Sequence, residues 1–197
     1  MAYSDFKTLK AAKEKFSLTV REQTDLFAGI LPQPPSENLT THLKETIPLA
    51  LSINTEKARS ELMITPVLLE VRRRSTPMLG FFSGIDFTVD ENLGLNGYCD
   101  YVLSRSSDQL TLNAPVIMIV EAKNENIKNG LGQCLAAMVA AQRFNQQEQT
   151  DIATLYGAVT TGEVWKFLML QGNIALVDLL DYYLPRDLDR ILGILMQ

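Results

Sequence analysis

The fold turns on the stretch PVIMIVEAKNENIKNGLGQCLAAMVAA, Pro115 to Ala141. Its first half is apolar on both faces, as expected of a strand in the middle of a sheet covered on both sides. The run ends in Glu121-Ala122-Lys123. Side chains two residues apart on a strand point the same way, so Glu121 and Lys123 project together and Ala122 projects to the other face. Opposite charges there mark either a chain leaving the core or a polar site built on its edge. From Ile127 to about Asn145 the pattern becomes helical, with Ala136, Ala137, Ala140 and Ala141 allowing close approach to a sheet.

The flanking elements follow from the same periodicities. Upstream, FFSGIDFTVDENLGLNGYCDYVLSRS (Phe81 to Ser106) alternates over two runs separated by a polar turn and predicts a hairpin. Before it, TEKARSELMITPVLLEVRRR (Thr55 to Arg74) has helical spacing, with Pro66 placed to kink or divide the helix. Downstream, IATLYGAVTTGEVWKFLML (Ile152 to Leu170) predicts two strands around Thr161-Gly162. NIALVDLL (Asn173 to Leu180) predicts an edge strand, and Arg186 to Gln197 a closing helix. The first part of the chain predicts a short helix capped by Ser4 and running to Phe16, a Pro-rich connector at Leu31 to Asn38, and a helix from Leu39 to about Leu51. The expected architecture is α/β: a central mixed sheet between two helical layers over residues 54–197, with a helical N-terminal extension over 1–53 packed on it.

Composition narrows the chemistry. Of 197 residues, 46% are hydrophobic and 21% charged, which suits a globular domain with a sizeable core. No apolar run reaches the roughly 20 residues of a membrane span, and the charged N-terminus does not read as a signal peptide. Two unclustered cysteines, Cys99 and Cys134, with the single His42, supply no zinc-ligand spacing. These features together predict a cytoplasmic protein without membrane partners. The net charge of -5 argues against a protein that merely coats nucleic acid. It argues less against an enzyme whose bound cations supply local positive charge.

Asp100 lies in the strand GYCDYVLS (Gly97 to Ser104), preceding the central one. If the two strands are neighbours, its carboxylate stands beside Glu121. Two carboxylates so close repel unless a cation or a proton lies between them. Magnesium takes one or two carboxylates together with waters and phosphate oxygens, and a lysine beside such a site orients or helps to deprotonate a water.

Asp100, twenty intervening residues and then Glu121-Ala122-Lys123 resemble the PD-(D/E)XK nuclease superfamily, with its restriction-endonuclease-like three-layer α/β/α core. The resemblance covers about Thr55 to Leu170. TEKARSELMITPVL is similar to the first helix of the nuclease domain in type I restriction motor subunits, where a glutamate precedes a proline by ten residues as Glu56 precedes Pro66. The proline-aspartate dipeptide of the family name is absent, because Cys99 precedes Asp100. The resemblance implies a magnesium- or manganese-dependent nuclease with DNA as the leading substrate. Asp100 and Glu121 would hold the metal, and the Ala122 carbonyl would complete the shell. Lys123 would position the attacking water, and Gln133 would support the lysine or touch substrate. Glu61 or Glu56 would point at the metal from the first helix, with Glu61 favoured. Cutting both strands would suit a homodimer. The rival readings are a catalytically silent binding or assembly module of the same fold, and a hydrolase acting on RNA or a structured junction.

Other candidates have ordinary structural explanations. Arg72 to Arg74 sit where basic residues favour a helix C-terminus. Trp165 in an alternating strand reads as core, and His42 as surface. No GxxxxGK[ST] loop is present, so an ATP motor is unsupported.

Overall fold

The computed structural model describes residues 1–150 and 152–197. The described helices are α1 (Leu9–Lys15), α2 (Glu37–Ile53), α3 (Glu56–Arg59), α4 (Thr65–Arg74), α5 (Ile127–Gln147) and α6 (Leu188–Leu195). The strands are β1 (Thr19–Gln23), β2 (Gly80–Asp86), β3 (Tyr98–Ser104), β4 (Val116–Ala122), β5 (Leu155–Thr160), β6 (Val164–Gln171), β7 (Ile174–Asp178) and β8 (Tyr182–Tyr183). They form one mixed sheet in the order β1-β7-β6-β5-β4-β3-β2, with β8 paired to the start of β6. β2, β3 and β4 are an antiparallel meander. α5 then crosses back so that β5 runs parallel to β4.

Each face of the sheet has its own core. α1 and α5 cover one face, where Leu135, Met138, Ile119 and Val159 pack together. α2, α4 and α6 cover the other, over Val120, Ala122, Ala158 and Phe167. β4 is buried along its whole length, which is why its sequence lacks alternation. The chain is therefore α/β with a central mixed sheet between helical layers. Among the described residues no helix is long and apolar enough to cross a membrane.

The N-terminal part departs from the expected helical extension. α1 is capped by Thr8, whose Oγ1 accepts the Ala11 N–H at 3.2 Å, and not by Ser4. Ser4 lies in a 3-10 turn whose Tyr3 is drawn into the core, its hydroxyl donating to the Phe87 carbonyl at 2.5 Å. Thr19–Gln23 joins the sheet as β1, parallel to β7. β7 is therefore an inner strand rather than the expected edge. Only Val20 in β1 is even half-buried, so an exposed edge strand left no alternation to read. α2 starts two residues earlier than expected, at Glu37, because Ser36 caps it through Leu39 N–H.

Pro66 divides the helix expected over Thr55 to Arg74 by a specific route. α3 and α4 are joined by a π-helical turn, Ser60–Ile64. Proline has no N–H for the Leu62 carbonyl, and the Thr46 hydroxyl donates to that oxygen at 2.8 Å instead. The Thr65 N–H reaches back five residues to Ser60. The Tyr101 hydroxyl donates to the same Ser60 carbonyl at 3.1 Å and shares a 3.0 Å hydrogen bond with Thr65. Trp165 is fully buried, Arg73 and Arg74 pair with Glu70, and His42 is exposed, so these three take their structural roles.

Gly132 of α5 lies under the N-terminal segment, where a Cβ would collide with the backbone carbonyl oxygens of Phe6 and Thr8. Neither obstacle is a flexible side chain. Gly132→Ala is expected to destabilise the fold by about 1–3 kcal/mol, the range for overpacking, and to expose residues before Ser17 to protease. Urea denaturation and limited proteolysis check this, and an unchanged midpoint with no new cleavage would contradict that contact.

Candidate functional site

The site forms at the end of the central strands. The β3–β4 register pairs Tyr101 with Val120, and one further step brings Asp100 opposite Glu121. Asp100 Oδ2 accepts the Ala122 N–H at 2.8 Å, fixing the aspartate to the last residue of β4. Alternation breaks beside it. Cys99 and Val102 both join the core beneath α5 although they are three residues apart. Facing them on β2, Phe82 and Ile85 do the same. Gly84, between those two, takes a φ of 61° that suits glycine. Such irregularities re-aim side chains, and this one leaves Asp100 half-buried at the end of the sheet.

Glu121 is 1% exposed, on the α5 face, while the Ala122 methyl enters the opposite core. Lys123 Nζ donates to Glu121 Oε1 and lies 3.4 Å from Gln133 Oε1 of α5. Its backbone N–H donates to the Thr160 carbonyl of β5 at 2.8 Å. Space for the lysine stem comes from Gly130: a Cβ there would stand 2.6 Å from Val159 Cγ1 and 3.1 Å from Lys123 Cγ. Asp100, Glu121, Lys123 and Gln133 are thus brought together from β3, the β4 terminus and α5.

The electrostatics follow from burial. Loss of water pushes the Glu121 carboxyl up, the Asp100 charge pushes it further, and Lys123 only partly opposes them; its pKa is raised to about 8. Burial disfavours the Lys123 ammonium, but Glu121, Asp100 and Glu56 outweigh it and raise that pKa. The upward shift of Glu121 dominates, because burial strips its water. Beneath it, burial, with Glu121 adding to it, pushes both thiols up, Cys99 and Cys134 alike.

The first-helix glutamates separate. Glu61, the favoured candidate, instead pairs with Lys57 at 2.9 Å, with both side chains mostly exposed. Glu56 is exposed as well, and its charge is the weakest of those that raise the Lys123 pKa, so neither glutamate turns into the pair. The π turn begins at Ser60, so a regular-helix projection from Pro66 back to Glu61 does not hold. Among the described residues no Asp, Glu, His or Cys joins the pair to make a metal-binding group of three or more. The donors that do converge are hard oxygens. A buried carboxyl crowded by a second one is the arrangement that a divalent cation relieves, so the residues fit magnesium or manganese with most of its shell left to water and substrate.

Sequence reading missed Gly130, Arg59 and Thr160. Gly130 and Gly132 were legible as a signal, since each glycine in a helix costs about 1 kcal/mol relative to alanine and two so close imply contacts that need them. No family model matches the chain, and no curated protein matches it.

The raised Glu121 pKa gives a signed pH dependence. The folded state holds this proton up to about 8, whereas an unfolded glutamate loses it near 4.5. The contribution is therefore fully present below the unfolded value and is lost as pH rises through the folded one. Without divalent metal, Glu121→Gln is expected to gain melting temperature relative to wild type as pH rises across that window. Parallel melting curves for the two proteins would contradict the assignment.

Proposed function

We propose that the chain is a metal-dependent nuclease of the PD-(D/E)XK type that hydrolyses phosphodiester bonds, with DNA as its leading substrate. The observation that carries this is the convergence of Asp100, Glu121, Lys123 and Gln133 on one buried strand terminus. The order helix, three-strand meander, crossover helix and parallel strand supports it, because that order places an acid and an acid–lysine pair on adjacent strands.

In this reading Asp100 and Glu121 hold magnesium or manganese, with the Ala122 carbonyl beside them. The metal, when bound, offsets negative charge on the scissile phosphate. Asp100 and Glu121 would hold that ion with Glu121 deprotonated, its proton released to solvent. Lys123 orients the attacking water and stabilises charge at the phosphate. Gln133, 3.4 Å from the lysine, supports it or touches substrate. The two-carboxylate donor set also favours a second reading, a catalytically silent module of the same fold in which Lys123 serves only as the partner of buried Glu121.

Nicking of supercoiled plasmid in magnesium, with calorimetry and melting curves, separates the two. The nuclease reading expects Lys123→Met to fold and to bind metal while turnover falls by roughly 10²–10⁴-fold. It expects Asp100→Asn and Glu121→Gln to lose metal binding. The silent-module reading expects Lys123→Met to lose stability and wild type to cut nothing. A Lys123→Met protein that melts and cuts like wild type would falsify the catalytic role of the lysine.

A further inference from the structure

Arg59 is 8% exposed, and every nitrogen of its guanidinium is engaged. Nε and Nη2 donate to Asn54 Oδ1 at 3.1 and 2.9 Å, where Asn54 ends α2 in the left-handed conformation. Nη1 donates to the Thr161 carbonyl and to Glu163 Oε2, both at 2.9 Å. One side chain therefore ties the α2–α3 junction to the turn between β5 and β6.

The turn end of this tie borders Lys123. Thr161 follows Thr160, whose carbonyl accepts the Lys123 N–H at 2.8 Å. That turn is itself braced, with the Thr160 hydroxyl accepting the Gly162 N–H at 2.9 Å and Trp165 Nε1 donating to the Gly162 carbonyl at 3.2 Å. At the other end of the tie, Arg59 closes the single α-helical turn of α3. α3 is only four residues long and gives way at once to the π turn. Besides its Thr55 cap, it depends on Arg59 for a link to the sheet.

We infer that Arg59 is a positioning residue: by joining α3 to the Thr161–Glu163 turn, it holds that turn and with it the Thr160 carbonyl that anchors the Lys123 backbone. It touches no substrate, because it is buried and four of its five N–H donors are already bonded within the fold. Lysine cannot replace it, since a single ammonium cannot reach Asn54 on one side and Thr161 and Glu163 on the other. Its consequence for turnover rests on the nuclease reading, but its hold on the Lys123 backbone does not.

The test uses Arg59→Met, Arg59→Lys and the milder Glu163→Gln, the last at a 41% exposed partner that is expected to leave the fold intact. Amide hydrogen exchange is the readout independent of activity. The Lys123 N–H is expected to exchange roughly tenfold faster in the Arg59 variants and detectably faster in Glu163→Gln, with β3 amides unchanged, as for local opening. Unchanged exchange at Lys123 in all three overturns the inference. In cleavage assays below the melting temperature, kcat is expected to fall roughly 10- to 100-fold with KM nearly constant. Arg59→Lys should fail to rescue it. An unchanged kcat in the Arg59 variants would leave Arg59 a stability residue and overturn its role in turnover. A wild-type protein that cuts no nucleic acid, yet shows the Lys123 exchange change, would overturn the nuclease reading and retain the positioning role.

Discussion

Glu121 occupies a position that the sheet makes for an apolar side chain, and its neighbours are arranged around that fact. Burying a carboxyl without partners is costly. Here Lys123 reaches back to it, and Gly130 withholds a side chain so that the lysine stem fits. Asp100 approaches from the next strand and is held there by the Ala122 N–H. The result is a site loaded with unfavourable charge in its metal-free form. Two acids compete for one cationic partner, and the more buried of them keeps its proton into the neutral range. In the nuclease reading proposed above, a divalent cation would take the place of that proton. The same burial that strains it keeps water away from the aliphatic part of Lys123.

The second constraint is how the first helix meets the sheet. A regular helix from Thr55 to Arg74 would pass Tyr101 with a uniform register. Pro66 removes one N–H, and the π turn that results gives Ser60 a carbonyl shared by Thr65 and Tyr101. The Thr46 hydroxyl from α2 satisfies Leu62. These bonds explain how a break in the helix is accommodated without an orphaned carbonyl. They also turn Glu61 outward to Lys57. Tyr101 adjoins Asp100, so the π turn and the acidic pair are coupled through one residue of β3. Arg59 makes the matching connection to the β5–β6 turn. The site is thus braced from three directions by side chains that do no chemistry in it.

Much of this was legible in one dimension. The uniform burial of β4 followed from its unbroken apolar run, and the convergence of Glu121 with Lys123 from the two-residue spacing at its end. The β2–β3 hairpin, α5, the β5–β6 pair and α6 each had a period long enough to read. β1 was not legible, because a solvent-facing edge strand with one half-buried residue carries no alternation. The break at Gly84 and Asp100 was equally hidden, since it depends on a neighbouring strand making the same irregularity.

The sequence by itself determined which residues are apolar on which period, and therefore a buried central strand ending in a charged pair, an alanine-rich helix over it and an aspartate one strand away. Those are local properties, set by side-chain chemistry and backbone geometry within a few residues. Only the tertiary structure decided that both first-helix glutamates stay exposed, that β1 joins the sheet, and that Arg59 ties α3 to the turn beside Lys123. The last two depend on contacts between parts of the chain that are far apart in sequence. Arg59 and Thr161 are 102 residues apart. No period or spacing along the chain encodes such a meeting, because it is fixed by how whole elements pack against each other.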